Sequence, residues 1–595
     1  MNLVNPYRFV SAAFASTWKT DNISTGSSTS TQIKLPLVST GTYNFTVDWG
    51  DSSTSTITVW NQAAVTHTYS SVGTYTVKIT GTCIGWQFNN TGDRLKILSV
   101  LSWGSLKLGN LGGYFYGCAN LNLTGVSDIL DLTGTTSLFS CFRGCTNLTT
   151  IGRMNEWNTS VVDNMSNMFV LCIVFNQPIG SWNTINVINM SGMFSAAASF
   201  NQNIVSWNTI AVTDMSNMFN AATAFNQPLN LWNTSSVTNM TGMFQSTSSF
   251  NQDIGVWNVS SVTTTFQMFY RATAFNNGGS NSINSWNTIN VVDMSGMFRG
   301  FSTGTPVPFN QNIGGWNVSK VATFLNMFEF NKAFNNGGSP DINNWVLKTT
   351  GTINMQTMFA HNNAFNQPLG NWNTIVVTNM VSTFLNAALF NQNIGGWNVT
   401  NVGDFTGMFE GALSFNNGGS STINNWLIKT TGTVNMTNMF NGGTGGLNVM
   451  VFNQPLGNWN MIAVTNTSGM FGRLGGGGGN NYFNQDISGW NVSNVTNMSY
   501  MFGLTGTVNL TDFNQNIGSW DISKVTNFTG FMNGKTPSSF STANLDAIYN
   551  GWSSRPVLAS KNIHFGTAKY TSGSSAGRAI LTGSPNNWTI TDGGI

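Results

Sequence analysis

The chain has 595 residues, of which only 7% are charged, and its formal net charge is +2. Soluble domains usually carry about 25% charged residues, so this chain lacks the basic patch by which proteins hold nucleic acid. Disorder is excluded too, because 42 Phe, 26 Met and 21 Trp are more apolar and aromatic side chains than a disordered chain contains.

Membrane insertion is not expected, because no stretch approaches the roughly 20 continuous apolar residues that a spanning helix needs. The N-terminus from Met1 to Phe9 is not typical of a secretion signal: its charge comes late, and Ser11 and Ser16 break the apolar run that follows. The five cysteines are an odd number in a long chain, which indicates small buried residues rather than a disulfide framework or a zinc site.

After an N-terminal segment (1–16), residues 17–90 alternate Thr, Tyr and Val between glycine turns, which predicts a small antiparallel β-sandwich. The turn Trp49-Gly50-Asp51-Ser52, the triplet His67-Thr68-Tyr69 and the strand-like stretch 73–79 resemble the PKD-like immunoglobulin-type domain. Ser52 stands where that domain has a second glycine. The resemblance implies an all-β immunoglobulin-like sandwich that serves as a spacer or binding module.

A tryptophan recurs every 25 to 33 residues through the predicted repeat region, 91–535. The fourteen positions are Trp157, Trp182, Trp207, Trp232, Trp257, Trp286, Trp316, Trp345, Trp372, Trp397, Trp426, Trp459, Trp490 and Trp520. Such a period is typical of repeat architectures. The longer units insert residues at two corners, as with Asn-Asn-Gly-Gly-Ser before Trp286, so the rest of the unit keeps its register.

The clearest unit, 179–202, contains two periodicities. Ile179, Trp182 and Thr184 have the spacing of a short strand, and Met190, Met193, Phe194 and Ala197 have the spacing of one face of a short helical or 3₁₀ arc. One unit cannot bury these side chains alone, so we expect neighbouring units to stack them into a shared core. The predicted core residues include Trp182, Trp207, Trp232, Trp257, Met193, Phe194, Met218 and Phe219.

The pattern I-x-x-W-N-x-x-x-V-x-x-M-x-x-M-F-x-x-A-x-x-F-N-Q resembles the BspA-like leucine-rich repeat family of surface proteins over about residues 95 to 535. That resemblance implies a curved leucine-rich-repeat-like solenoid, with short strands on one face, used in adhesion and ligand binding. Residues 536–595 leave the repeat. They predict a small C-terminal cap, with a short helix at 545–551 and short strands at 567–570 and 587–591.

No catalytic residue, metal site or cofactor is predicted. His67, His361 and His564 are the three histidines; His67 lies in the PKD-like motif, where a structural hydrogen bond is expected, and the other two have no recurring acid or nucleophile around them. Asp48 and Asp51 lack the spacing of a calcium loop. The glycine run Gly475–Gly479 lacks the Lys-Ser/Thr of a phosphate-binding loop and predicts a flexible corner.

An asparagine follows most of the repeat tryptophans and is the candidate binding residue. On a strand with Trp inward, this asparagine faces outward, and stacked units would align the amides. Two interpretations stay open: a groove floor that binds a sugar or peptide, or a ladder that bonds within itself and holds the units together. The candidates are Asn183, Asn208, Asn233, Asn258, Asn287, Asn317, Asn373 and Asn398.

The first functional hypothesis is a non-enzymatic virion surface or fibre protein of a phage or virus. It would contact other virion proteins and attach to a host surface glycan or protein through its repeats. The alternative is a bacterial cell-surface leucine-rich-repeat adhesin. A glycan hydrolase would need paired carboxylates across one site, and the repeats supply few acids at no constant position.

Overall fold

The computed structural model describes residues 13–443, 449–472, 481–504 and 512–595. The chain divides into two compact units, Met1–Ser282 and Ile283–Ile595. Two predictions lie outside the described residues: that Met1 to Phe9 is not a secretion signal, and that Gly475–Gly479 is a flexible corner.

The first compact unit begins with eight β-strands and a 3₁₀ turn at Ala63–Val65. The strands are β1 (Phe14–Lys19), β2 (Gln32–Lys34), β3 (Leu37–Asp48), β4 (Thr54–Ile57), β5 (Thr66–Thr68), β6 (Thr74–Trp86), β7 (Ile97–Ser102) and β8 (Leu106–Lys107). One sheet has the order β4-β3-β6-β1-β7, in which neighbours are antiparallel, and β8 pairs parallel to β6. Strands β2 and β5 form a separate antiparallel pair.

The immunoglobulin-like sandwich predicted for 17–90 is wrong. Instead of two facing sheets of comparable size, the region forms one six-stranded mixed sheet and one two-stranded sheet. The larger sheet also continues past residue 90, because β7 pairs with β1, placing Ala15 opposite Ser102 and Trp18 opposite Ile97. The sequence pattern indicated the strands but not which strand continues the sheet.

The short strand and helical arc predicted for each repeat are also wrong, and with them the leucine-rich-repeat-like solenoid as a fold class. Residues 179–184 contain no strand, and 190–197 form a series of turns rather than a helix. Every fourth residue of the Met-Phe stretch is left-handed, as at Asn167 (φ 57°) and Leu171 (φ 63°). A left-handed residue ends a helical segment, although successive turns keep the apolar side chains at a helix-like spacing.

Backbone hydrogen bonds explain this conformation. Along the Met-Phe stretch of one repeat, Met168 N–H donates back three residues to Met165 O at 3.3 Å, and Cys172 N–H donates to Phe169 O at 3.0 Å. Alternate amides donate to the next repeat instead, as Phe169 N–H does to Met193 O at 2.9 Å and Leu171 N–H does to Ser195 O at 2.9 Å. Each repeat therefore needs its neighbour to satisfy its own backbone, since buried amides without partners are costly.

Regular elements are sparse among the described repeats. Beyond single-residue parallel bridges such as Asn189 to Asp214, the strands are β9 (Ile353–Asn354) with β10 (Val377–Asn379), and β11 (Val434–Asn435) with β12 (Val464–Asn466). The 3₁₀ turns in the repeats are Met154–Glu156, Asn277–Gly279, Asn281–Ser285, Asn336–Gly338, Pro340–Asn344, Asn417–Gly419 and Ser421–Asn425. Apart from the first, these turns lie at the Asn-Asn-Gly-Gly-Ser insertions, where Gly278 has a φ of 62°.

The C-terminal region contains α1 (Thr542–Ser553), β13 (Asn562–His564), a 3₁₀ turn at Ser572–Ser574, α2 (Ser575–Thr582) and β14 (Thr589–Thr591), with β13 and β14 parallel. Helix α1 is longer than the helix predicted at 545–551, and the strand predicted at 567–570 does not form. Helix α1 takes the position of a further repeat. Its Trp552 Nε1 donates to Ile517 O at 3.1 Å, as Trp520 Nε1 in the preceding repeat does to Ile487 O at 3.1 Å.

We expect the substitution Trp207→Phe to destabilise the first compact unit. The side chain is 2% exposed and its Nε1 donates to Ile179 O at 3.0 Å. The change removes this bond, although Ile179 O still accepts Trp182 N–H at 3.2 Å, so we expect a cost of about 0.5–1.5 kcal/mol. The midpoint of urea unfolding, followed by circular dichroism, should fall. Trp60→Phe is the control, because Trp60 is 44% exposed; equal midpoints for the two variants would contradict the prediction.

Lys535 gives a pH dependence. Its side chain is 1% exposed, and burial lowers its pKa from 10.5 to about 7 despite the opposing effect of Asp512. Between about pH 7 and pH 10.5 the unfolded chain therefore binds more protons at this residue, so the free energy of unfolding rises with pH. Lys535→Met should flatten that rise in thermal-melting series. A variant that keeps the full slope would show that another group causes it.

Candidate functional site

The predicted core side chains are buried within the repeats. Trp182, Trp207, Trp232 and Trp257 are between 2% and 4% exposed. Their rings are parallel from one repeat to the next, as for Trp182 and Trp207, whose centroids lie 6.3 Å apart. Met193, Phe194, Met218 and Phe219 are fully buried. The rings place each repeat in register with its neighbour and turn the residue after Trp toward the surface.

The asparagines that follow tryptophan lie on that surface, because the adjacent Trp is buried. Seven of the eight candidates are exposed, and Asn398 is half-buried. In each, Oδ1 accepts the backbone N–H two residues later, as Asn233 does from Ser235 at 3.0 Å. The same bond occurs at Asn183, Asn208, Asn258, Asn287, Asn317, Asn373 and Asn398.

These amides therefore do not form a ladder between repeats. The contact that links neighbouring repeats here comes from the next residue: the buried Thr184 hydroxyl donates to the backbone carbonyl of Asn208 at 2.9 Å. The asparagine side chains keep their Oδ1 within their own turn. Within the described residues, no Nδ2 of the eight candidates donates to a protein group, so each presents two N–H donors to solvent.

A side-chain amide ladder does exist, at the Phe-Asn-Gln corner, which is not among the candidates predicted from the sequence. In the first compact unit, Asn201, Asn226, Asn251 and Asn276 each donate a backbone N–H to Oδ1 of the asparagine 25 residues earlier, at 2.8–3.0 Å. Gln227 Nε2 donates to the same Asn201 Oδ1 at 3.0 Å. The recurrence of Phe-Asn-Gln was the signal that could have identified it.

Asp51, Ser53 and His67 come together beside Trp49, but their geometry does not match a catalytic triad. His67 Nε2 lies 2.8 Å from Asp51 Oδ2 and 3.4 Å from Ser53 Oγ. In a triad, acid and nucleophile contact opposite ring nitrogens, whereas here both contact Nε2. Burial raises the pKa of Asp51, but hydrogen bonds from Ser53 and His67 outweigh it and hold that pKa at about 2. The cluster ties the Trp49 turn to β5.

The other candidates for chemistry also have structural partners. His361 stacks on Phe330 with centroids 4.2 Å apart, and burial lowers its pKa. His564 Nδ1 accepts Gly566 N–H at 2.9 Å. All five cysteine thiols are buried and free. In the part of the chain that the structure describes, no group of three or more metal-ligating side chains occurs, and no helix is both long and apolar enough to cross a membrane.

A family model described as "Mycoplasma protein of unknown function, DUF285" matches residues 109–212, 201–300, 280–352, 337–445 and 448–569. These segments cover well over half of the chain. The chain belongs to this family. The DUF285 match includes every repeat tryptophan from Trp157 to Trp520 and does not extend to the N-terminal sheet. Neither a curated protein nor a solved structure matches the chain.

The two kinds of asparagine should differ in their effect on local stability. Asn226→Ala removes the Oδ1 that accepts Asn251 N–H at 3.0 Å and Gln252 Nε2 at 2.8 Å, and a lost partner of this kind costs about 1–3 kcal/mol. Hydrogen exchange at Asn251 should then be about tenfold faster or more. Asn233→Ala is the matched control, because it loses one exposed bond within its own turn. If hydrogen exchange at Ser235 in Asn233→Ala accelerates as much as exchange at Asn251 in Asn226→Ala, the two kinds of asparagine do not differ.

Proposed function

We propose that the chain is a non-enzymatic structural and adhesion protein, which attaches to a host surface glycan or protein through the exposed asparagines that follow tryptophan. One observation carries the proposal: each of these asparagines uses its Oδ1 within its own turn and leaves its Nδ2 donors exposed. The Phe-Asn-Gln ladder already links neighbouring repeats, so stacking does not require the exposed donors.

Repetition supports attachment. Within the first compact unit, Asn183, Asn208, Asn233 and Asn258 occupy equivalent positions in successive repeats. Each amide by itself would bind a hydroxyl or carbonyl oxygen weakly, since an exposed hydrogen bond exchanges with water. Several equivalent contacts to one surface add through effective concentration, and avidity exceeds each single affinity by about 10²–10⁴.

Two locations fit such a protein. The first is a virion surface or fibre of a phage or virus, where the N-terminal sheet would contact other virion proteins and the repeats would contact the host. The second is a bacterial cell surface, favoured by the family description, which names a bacterium. The resemblances to BspA-like repeats and to the PKD-like domain are not tested by the DUF285 match and stay predictions.

Removing the amide donors while keeping the turns should abolish attachment. Asp521 occupies the equivalent position after Trp520, and its Oδ1 accepts Ser523 N–H at 3.0 Å. The triple variant Asn208→Asp, Asn233→Asp and Asn258→Asp therefore keeps the acceptor and loses the donors. Flow cytometry of bacterial and eukaryotic cells with the fluorescent full chain should show a drop of about tenfold or more, as several weak contacts are lost.

The matched control is the triple Asn→Ser variant, which replaces the two amide donors by one shorter hydroxyl and adds no charge. Loss in both variants supports the donors as the contact, whereas loss in the Asp variant alone would indicate charge repulsion. Undiminished binding by both, with unchanged circular dichroism, would refute the role of these asparagines. Mass spectrometry of purified virions and of bacterial surface fractions separates the two locations; recovery from bacterial surfaces alone would overturn the virion hypothesis.

A further inference from the structure

Two repeats of the second compact unit carry an aliphatic residue where the other repeats carry a polar residue after tryptophan. These residues are Val346, which is 71% exposed, and Leu427, which is 72% exposed. Each is followed by one buried aliphatic residue and the sequence Lys-Thr-Thr-Gly-Thr. The glycine of that sequence is left-handed in both, with a φ of 75° at Gly351 and 72° at Gly432, a conformation that glycine adopts without steric cost.

Each of these turns borders an open groove. The first has a volume of about 310 Å³ and is lined by Val346, Thr349, Asn371 and Asn373, among others. The second has a volume of about 370 Å³, and its lining includes the equivalent residues Leu427, Thr430, Asn458 and Asn460. Both volumes lie at the lower end of the range for small-molecule sites, about 300–1,000 Å³.

The wall opposite the aliphatic residue comes from the following repeat and is also specific to these two places. Only there does an asparagine stand on both sides of the tryptophan, in Asn371-Trp372-Asn373 and Asn458-Trp459-Asn460. The backbone of the first asparagine is fixed by the preceding repeat, because Asn371 N–H donates to Asn343 Oδ1 at 2.9 Å. Asn458 N–H donates to Asn424 Oδ1 at 3.0 Å.

The two grooves share two stretches of sequence. The Lys-Thr-Thr-Gly-Thr turns and the Asn-Trp-Asn walls are identical, although their residues other than Trp lie mostly at the surface. Just ahead of the grooves, the exposed Pro340 and Asp341 of one repeat become Ser421 and Thr422 in the other. The identity therefore includes the turn and the wall of each groove, and it extends to the Phe-Asn-Asn-Gly-Gly-Ser corners at 334–339 and 415–420.

We propose that these grooves are two equivalent binding sites for a short neutral oligosaccharide, a proposal that rests on the attachment function above. The aliphatic side chain offers contact to the C–H face of a sugar ring, while the asparagine amides and the threonine hydroxyl reach its hydroxyl groups. No carboxylate lines either groove, and Lys429 is the charged residue in the lining of the second. A third groove beside Ile129 is lined by Asp131 and Glu156 and is not part of the proposal.

A sugar fits the hydrogen-bonding groups better than an extended peptide does. Asn373 Oδ1 is occupied by Ile375 N–H at 3.2 Å, and Asn460 Oδ1 by Ile462 N–H at 3.1 Å. These asparagines therefore keep both Nδ2 donors and one Oδ1 lone pair for a ligand. A sugar hydroxyl both donates and accepts and can rotate its hydrogen to suit either group, whereas the N–H and C=O groups of an extended peptide have fixed directions.

The test uses the full chain with Val346→Asn, Leu427→Asn and both together. Asparagine is the residue that most repeats carry at this position, so the variants should fold. Leu231→Ser is the matched control: Leu231 is 69% exposed, lies outside the grooves, and the preceding repeats carry serine there. The probes are soluble neutral oligosaccharides of hexose and N-acetylhexosamine, sialylated counterparts, and uncharged extended peptides, measured by isothermal titration calorimetry.

We expect a stoichiometry of two neutral oligosaccharides per chain in the wild type and the control, one in each single variant, and none in the double variant. On a sugar-coated surface, either single variant should lose about 100-fold in avidity. Binding by the double variant, a preference for peptides or sialylated sugars, or no sugar binding at all would each overturn the proposal.

The same proteins applied to cells separate the two proposals. If the double variant labels cells as well as the wild type, the grooves are not the contact, although attachment stands. If the wild type labels no cell, attachment fails, and the calorimetric stoichiometry still decides whether the grooves bind sugar.

Discussion

The alternation of backbone amides along the Met-Phe stretch is the constraint on which the repeats depend. One amide closes a turn inside its own repeat, as Met168 N–H does, and the next, as at Phe169, donates to the following repeat. A helix satisfies its backbone internally, but a repeat of this chain satisfies only part of it. Backbone pairing and ring stacking therefore depend on the same neighbouring repeat. When the backbone pairs, the rings are in register, and when the rings stack, the backbone is in register.

This constraint explains how much could be predicted from the sequence. The tryptophan period gives the repeat, because a buried ring must recur at the same place in each unit, and Trp182 and Trp207 are buried as that reasoning requires. The local conformation could not be predicted, since the spacing of Met190, Met193, Phe194 and Ala197 fits a helix as well as a series of turns. Left-handed residues decide between them, and Leu171 and Ala196 carry no sequence signal for that conformation.

The candidate site shows a similar limit. Sequence periodicity identifies two recurring asparagines, one after Trp and one after Phe, but does not show where their side-chain amides bond. The asparagine after Phe receives the backbone of the next repeat, as Asn226 does from Asn251. The asparagine after Trp closes its own turn, as Asn233 does. The backbone geometry decides whether a side-chain amide bonds to a neighbouring repeat or stays free to bind a ligand. That geometry cannot be inferred from sequence periodicity.

Helix α1 places Trp552 where a further repeat would place its tryptophan. Trp552 Nε1 of this helix donates to Ile517 O. Ser541 N–H and Asn544 Nδ2 both donate to Asn514 Oδ1, at 2.9 Å each. A second molecule that brought its own repeats to this end would find those acceptors already taken. The terminal helix thus covers the acceptors of the last repeat, as a helix or loop covers an open sheet edge in β-proteins.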